Sequence, residues 1–276
     1  MNDQKEFMEL ELKNGYDFKF IIDFIRSKCK LCNFIFDIKG IMIKGNDINN
    51  SRLFVIKLYA KKMKYKCNSQ IIAGFHIPNF YKSLKTIKKK DGIKFSIVRK
   101  DNIRKLLISP FSQIRNSISS SNYLQICAPN CEEKDPPINY NEKDDIKIFP
   151  KDFTSLIKDL IVCKKDINIK KTENGTLRFY SENGELHSSE LFIEGTRETF
   201  NQTKVIYDQD YENIDFSSLA KISTISSLIT LNLNVDLPFR IIFELSIGKI
   251  ILYVKSKNMI ANEQETVEEE QMFMET

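Results

Sequence analysis

Two histidines, six cysteines and 42 basic residues carry most of the chemistry available to this 276-residue sequence. His76 and His187 both lie outside any arrangement with Ser, Cys or Asp that would make a nucleophile and its base. Nine glycines are scattered through the chain, and none of them builds a glycine-rich phosphate loop. Cys29-Lys30-Leu31-Cys32 and the pair Cys127 and Cys131 raise the question of zinc. A structural zinc site needs four converging ligands, and a second tight CxxC is missing, so buried free thiols are the reading. No catalytic residue, metal ligand or cofactor is expected.

The basic residues say more. Lys plus Arg number 42 against 37 Asp plus Glu, a net charge of +5. The segment from Lys257 onward holds six Glu and one Lys, so residues 1–256 carry +10. Lys19 and Arg26 are seven residues apart and nearly eclipsed on a helix. Lys82, Lys85, Lys88 and Lys89 fall on the outer face of a second helical stretch. Lys85 follows Phe80 by five residues, Lys158 follows Phe153 by five and Lys221 follows Phe216 by five. Any one basic helix face is ordinary solvated surface. The same phase on three helices, with Lys19 and Arg26 on a fourth, points to a polyanion lying across them, held by phosphate contacts without reading bases.

Those helices belong to a unit that occurs twice. Phe153, Leu156, Ile157 and Leu160 form one apolar stripe at i, i+3, i+4 and i+7. Strands are expected over Asp166–Lys171, Thr176–Ser181 and Glu185–Ile193. The turns between them fall at Asn174-Gly175 and Asn183-Gly184, where both residues would accept positive φ in a tight hairpin. Tyr16–Leu58 repeats the pattern: a stripe of Phe18, Ile21, Ile22 and Ile25, then strands Asn33–Ile38, Ile41–Lys44 and Leu53–Tyr59. Each half adds a short helix, Asn79–Lys88 with Phe80, Leu84 and Ile87 inward, and Asp215–Ser223 with Phe216, Leu219 and Ala220 inward. Alternating strands follow at Ile93–Val98 and Lys105–Ser109, and at Leu228–Val235, Phe239–Leu245 and Lys249–Val254. The fold class is α+β, two copies of one module, with a domain at 1–127 and another at 146–257.

Between them, 128–145 reads as an extended connecting loop because Pro136 and Pro137 remove donors and fix φ. Ile138 and Tyr140 are its apolar points. Residues 258–276 read as an acidic flexible tail. Its Met272 and Phe273, behind Glu268–Glu270, are the part that could visit an apolar groove. The polar start MNDQKEF reads as no signal peptide, no stretch approaches a membrane span, and six Cys then imply a reducing, intracellular setting.

From Phe7 to Lys257 the chain resembles the sliding clamps of the proliferating cell nuclear antigen family. The resemblance is carried by NFIFDIKGIMIKGNDINNSRLFVIKL, YKCNSQIIAGFHIPNFYKSLK, FPKDFTSLIKDL, ENGTLRFYSENGEL and SSLITLNLNVDLPFRIIFEL followed by GKIILYVKS. It implies a DNA-clamp fold in which two duplicated domains, each with two helices and antiparallel sheets, form a pseudo-sixfold ring as a head-to-tail homotrimer. It implies no enzyme activity. Duplex DNA would thread the hole without sequence preference, against Lys19, Arg26, Lys82, Lys85, Lys88, Lys158 and Lys221. DNA polymerase and other partners would dock peptide motifs in a groove of Leu53, Ile138, Pro238 and Tyr253, and a clamp loader would close the ring. The expected setting is the nucleus, or a viral replication site. Departures are Asn46 and Ser51 at usually apolar groove positions, and Lys255-Ser256 in place of Ala-Pro. The competing reading is a clamp-like scaffold, a heterotrimer subunit or monomer, serving transcription or damage signalling. Self-association through Ile118–Ile126 and Glu185–Ile193 separates the two.

Overall fold

The computed structural model describes residues 6–47, 49–100, 103–112, 121–129, 135–137, 139–163, 166–183, 187–212 and 216–274. The chain divides into two units. One comprises Met1–Pro136, Ile225–Ser227 and Phe243–Ile251, the other Pro137–Thr224, Leu228–Ile242 and Leu252–Thr276. No described helix is long and apolar enough to cross a membrane.

The first unit runs through β1 (Glu6–Leu12), α1 (Gly15–Arg26), β2 (Leu31–Asp37), β3 (Gly40–Asn46) and β4 (Arg52–Tyr59). A single 3-10 turn leads to β5 (Lys64–Cys67) and β6 (Ile71–His76). Then come α2 (Ile77–Leu84), β7 (Asp91–Lys100), β8 (Ile103–Ser112) and β9 (Asn122–Gln125). Its strands pair antiparallel in the orders β5-β1-β7-β8-β9 and β4-β3-β2-β6. The β2–β3 turn closes because Asp37 Oδ1 accepts from the amides of Lys39 at 2.7 Å and Gly40 at 3.1 Å. Gly40 sits at φ +139°, and a Cβ there would lie 1.9 Å from the Leu58 carbonyl oxygen, so only glycine fits.

Phe18, Ile21, Ile22 and Ile25 of α1 are all buried, as are Phe80, Leu84 and Ile87. Phe18 meets Phe95 of β7 at 4.9 Å and Phe80 of α2 at 6.0 Å; Phe80 in turn meets Phe34 of β2 at 5.7 Å and Phe75 of β6 at 5.4 Å. Five phenylalanines thus tie both helices to both strand sets. Each contributes about 2 kcal/mol through burial, which makes this cluster the anchor for any side chain presented on the helices' outer faces.

The second unit runs through β10 (Ile146–Ile148), α3 (Pro150–Cys163), β11 (Ile167–Thr172), β12 (Leu177–Asn183) and β13 (His187–Ile193). It continues with a one-turn helix α4 (Arg197–Asn201), β14 (Val205–Tyr211) and α5 (Phe216–Ser223). Then follow β15 (Ser226–Asn232), β16 (Phe239–Leu245) and β17 (Gly248–Val254), each of them partly in the first unit, and α6 (Lys257–Met274). Its strand orders are β13-β12-β11-β14 and β10-β15-β16-β17. These repeat β4-β3-β2-β6 and β1-β7-β8-β9 strand for strand. The duplication read from the helical stripes therefore extends to hydrogen-bond topology. The halves differ at one slot, filled by β5 in the first and by α4 in the second. Helix α3 buries Phe153, Leu156, Ile157 and Leu160; on α5 the inward residues include Leu219 and Ile222, while Ala220 is only half-buried.

Two expectations change. The Asn174-Gly175 turn is not a pair of positive-φ residues: Gly175 alone has φ +89°. The Gly175 amide donates to the Thr172 carbonyl at 2.9 Å and the Thr172 amide to the Thr176 carbonyl at 3.0 Å, a three-residue loop ending in a glycine bulge. Asn174 Oδ1, accepting from the Thr176 amide at 3.2 Å, holds that shape. The glycine of the second Asn-Gly lies outside the described residues.

The tail read as flexible is instead the helix α6. Ser256 Oγ accepts from the Met259 amide at 3.3 Å, capping its first turn, and Lys255 pairs with Glu263 at 2.5 Å. Glu, Gln, Met and Ala are strong helix formers, and their propensity prevails over the acidic composition.

Candidate nucleic-acid interface

In the first unit the basic residues of α1 are bound to α2. Lys19 is half-buried and its Nζ donates to the carbonyls of Lys85 at 2.9 Å and Ile87 at 3.4 Å, where α2 ends. An ammonium is favoured there because the last carbonyls of a helix lack intrahelical partners and carry the negative end of its dipole. Arg26 pairs with Asp23 at 2.7 Å and lies 4.0 Å over the Tyr81 ring of α2. Both residues therefore hold the helix pair together as well as bringing positive charge to its surface. Asp17, also on α1, is pushed up in pKa by burial, against the hydrogen bond from Asn14 that lowers it.

Lys82, Lys85 and Lys88 are exposed, and none has an ion-pair partner among the described residues. The sequence pattern carries this helix to Lys88; α2 stops at Leu84 with Lys85 as its C-cap. Lys88 lies in the turn beyond, where its amide donates to Asp91 Oδ2 at 2.8 Å. The exposed run continues through Lys89 and Lys90, so this corner concentrates positive charge.

In the second unit Lys158 of α3 and Lys221 of α5 are both exposed. The two helices are joined by a hydrogen bond between the hydroxyls of Thr154 and Ser223 at 2.7 Å. Lys151, one turn before Ser155, adds a cation to α3, while Asp152 beside it removes the gain. Both units thus present exposed lysines on a pair of packed helices, more densely in the first.

The expected peptide groove is partly visible. Tyr253 is buried, 7% exposed, with its ring centroid 5.8 Å from that of Tyr140. Tyr140 donates its hydroxyl proton to the Pro238 carbonyl at 2.7 Å and carries the Arg240 guanidinium over its ring at 4.2 Å. Arg240 pairs with Asp145 at 2.8 Å, and Asp145 accepts from Asn232 at 2.7 Å. Burial pushes the Tyr140 hydroxyl well above the usual phenol range, against the opposing pull of Arg240. Tyr140 thus links Pro238 to Tyr253. It was legible as an apolar point of the connecting loop, but Arg240 and Asp145 were not, because their pairing spans 95 residues.

Leu53 is half-buried on β4 of the first unit, opposite Asn46. Ile138 lies outside the described residues. The polar departures Asn46 and Ser51 are used within their own loop. Ser51 Oγ donates to Asp47 Oδ2 at 2.7 Å, and Asp47 Oδ1 accepts from the Arg52 amide at 3.0 Å. Asn46 Nδ2 donates to Asn50 Oδ1.

Among the described residues, no group of three or more His, Cys, Asp and Glu is placed to hold a metal ion. Comparison with curated proteins finds no match. Residues 7–127 match the family described as proliferating cell nuclear antigen, N-terminal domain. The fold is similar to that of the crystal structure of proliferating cellular nuclear antigen from Entamoeba histolytica. The TM-score is 0.74 at 16% identity, covering 92% of this chain and all of that one. Residues 7–127 are thus similar to the N-terminal domain of the proliferating cell nuclear antigen family, and the chain as a whole has the fold of that solved structure.

Proposed function

We propose that the protein encircles duplex DNA as a homotrimer, serves as a processivity factor for a DNA polymerase, and recruits peptide-motif partners in replication and repair. The observation that carries this reading is the recurrence of exposed lysines on the packed helix pair of each unit, Lys82, Lys85 and Lys88 in one and Lys158 and Lys221 in the other. Phosphates of any sequence satisfy such a surface.

Two sheet edges that have no further partner strand among the described residues support assembly. β9 ends the order β5-β1-β7-β8-β9, and β13 ends the order β13-β12-β11-β14. An unpaired edge is a template for another chain, and a head-to-tail repeat of β9 on β13 closes a ring. The surface around Tyr140 and Pro238 would take the partners' peptide motifs, with the buried Tyr253 ring beneath. A nuclear or viral replication site follows from this role.

The test is a mass measurement in solution combined with retention on circular duplex DNA. A trimer that stays on closed circles and slides off linear ones is the expected result. Replacing Asn122 by proline, which removes a donor from the β9 edge, should leave monomers. A wild-type monomer at micromolar concentration, unchanged by that substitution, would sink the reading.

A further inference from the structure

The tip of the β7–β8 hairpin holds an arrangement that the helix-face lysines do not explain. Arg99 and Arg104 face each other directly across the two strands. Both are exposed, and both guanidinium groups lie over the same ring: Arg104 is 5.1 Å and Arg99 5.8 Å from the centroid of Phe7. Neither has an ion-pair partner among the described residues. Like charges directly opposed on a sheet repel each other and destabilise the pair. The aromatic face offsets part of that repulsion and fixes the planes of the two guanidinium groups.

Strand alternation decides which way the pair points. Phe95, Ile97 and Arg99 share one face of β7, and their partners Ile108, Leu106 and Arg104 share the same face of β8. Phe95 on that face packs on Phe18 of α1 and Phe80 of α2. The arginines therefore extend, beyond the end of the core, the sheet face that carries the two helices and their lysines.

We infer that Arg99 and Arg104, seated on Phe7, form a second contact for the phosphodiester backbone of DNA, outside the helix faces. This rests on the reading of the helix faces as DNA-binding. Two rigid five-donor forks held side by side suit the tetrahedral oxygens of a phosphate, and Arg is the residue that offers them. An acidic protein segment would also be attracted. The nucleic-acid backbone is favoured because the pair lies on the same sheet face as the lysines of α1 and α2, so one polyanion can meet both.

The experiment measures affinity of the full-length protein for a random-sequence duplex across a salt series. Wild type is compared with R99A/R104A, R99K/R104K and, separately, K85E/K158E. R99A/R104A should bind several-fold more weakly, with a log–log salt slope shallower by about 0.9 for each phosphate that is no longer neutralised. R99K/R104K should keep most of the slope, because the charge remains. A glutamate-rich peptide should neither bind the hairpin nor compete with DNA. Wild-type affinity and slope in R99A/R104A would overturn the inference. So would loss of glutamate-rich peptide binding with duplex binding intact, which would assign the tip to an acidic protein. If K85E/K158E weakens binding while R99A/R104A does not, the hairpin contact fails and the helix-face reading stands. The converse result leaves the hairpin contact and removes the helix faces.

Discussion

The ammonium of Lys19 lies 2.9 Å from the carbonyl oxygen of Lys85, so one cation of helix α1 is bound to the backbone of another cation's residue at the end of α2. The two lysines consequently have different duties, although sequence spacing gives them the same one. Lys19→Met should destabilise the first unit by about 1–2 kcal/mol, because charged donors to partly buried carbonyls are removed. Lys85→Ala should stay within about 0.5 kcal/mol of wild type. Urea midpoints read both, and duplex affinity should fall in both.

Ser256 is the cap of α6, its Oγ accepting from the Met259 amide. Ser256→Ala should cost the helix about 1 kcal/mol and lower the far-UV helical signal. The rest of the protein should keep its unfolding midpoint, since Ala261–Glu265 on this helix are exposed.

The hydroxyls of Tyr207 and Tyr211 are bonded to each other in the second unit. Burial pushes the Tyr207 hydroxyl up to about 12, against the lowering effect of its bond to Tyr211. A raised folded pKa gives stability that is fully present below the unfolded value near 10 and is lost as pH rises through about 12. Unfolding free energy should thus decline between those two pH values. Tyr207→Phe should flatten that decline. An unchanged alkaline slope in the variant would contradict this assignment.

Helix α6 begins four residues after Tyr253, with Met259 and Ile260 half-buried at its first turn. A segment tethered so close acts at an effective concentration on the order of millimolar. Truncation after Lys257 should therefore tighten binding of a partner peptide several-fold in a fluorescence titration. Tyr140→Ala should weaken it with or without the helix, because that ring links Pro238 to Tyr253. Equal affinities for full-length and truncated protein would make α6 a bystander.

Periodicity revealed the elements whose apolar residues recur on one face. The stripe through Phe18 and Ile25 became α1, and Phe239–Leu245 is a strand with the expected bounds. Elements whose polarity masks their period were missed. β1 alternates Met8, Leu10 and Leu12 with Glu9 and Glu11, whose charges are answered by Lys94 and Lys64 on neighbouring strands. Those partners are 85 and 53 residues away along the chain, outside any local window. The same limit hid the Arg240–Asp145 pair, and only the hairpin register sets Arg99 and Arg104 face to face. Helix α6 was legible in principle from Ser256 followed by a run of helix formers, but its charge suggested disorder first.

The slot filled by β5 in one half and by α4 in the other has a practical use. The same pair of flanking strands is joined through β5, which pairs with β1, in one copy and through a single helical turn in the other, so in the second half this connection adds no strand to a sheet. Between Glu194 and Lys204, where α4 closes on its own Thr196–Thr199 capping box, a fluorescent protein or affinity tag can be spliced in. Such a graft leaves both edge strands and every helix-face lysine where they are, and it gives a label for testing whether single molecules travel along DNA.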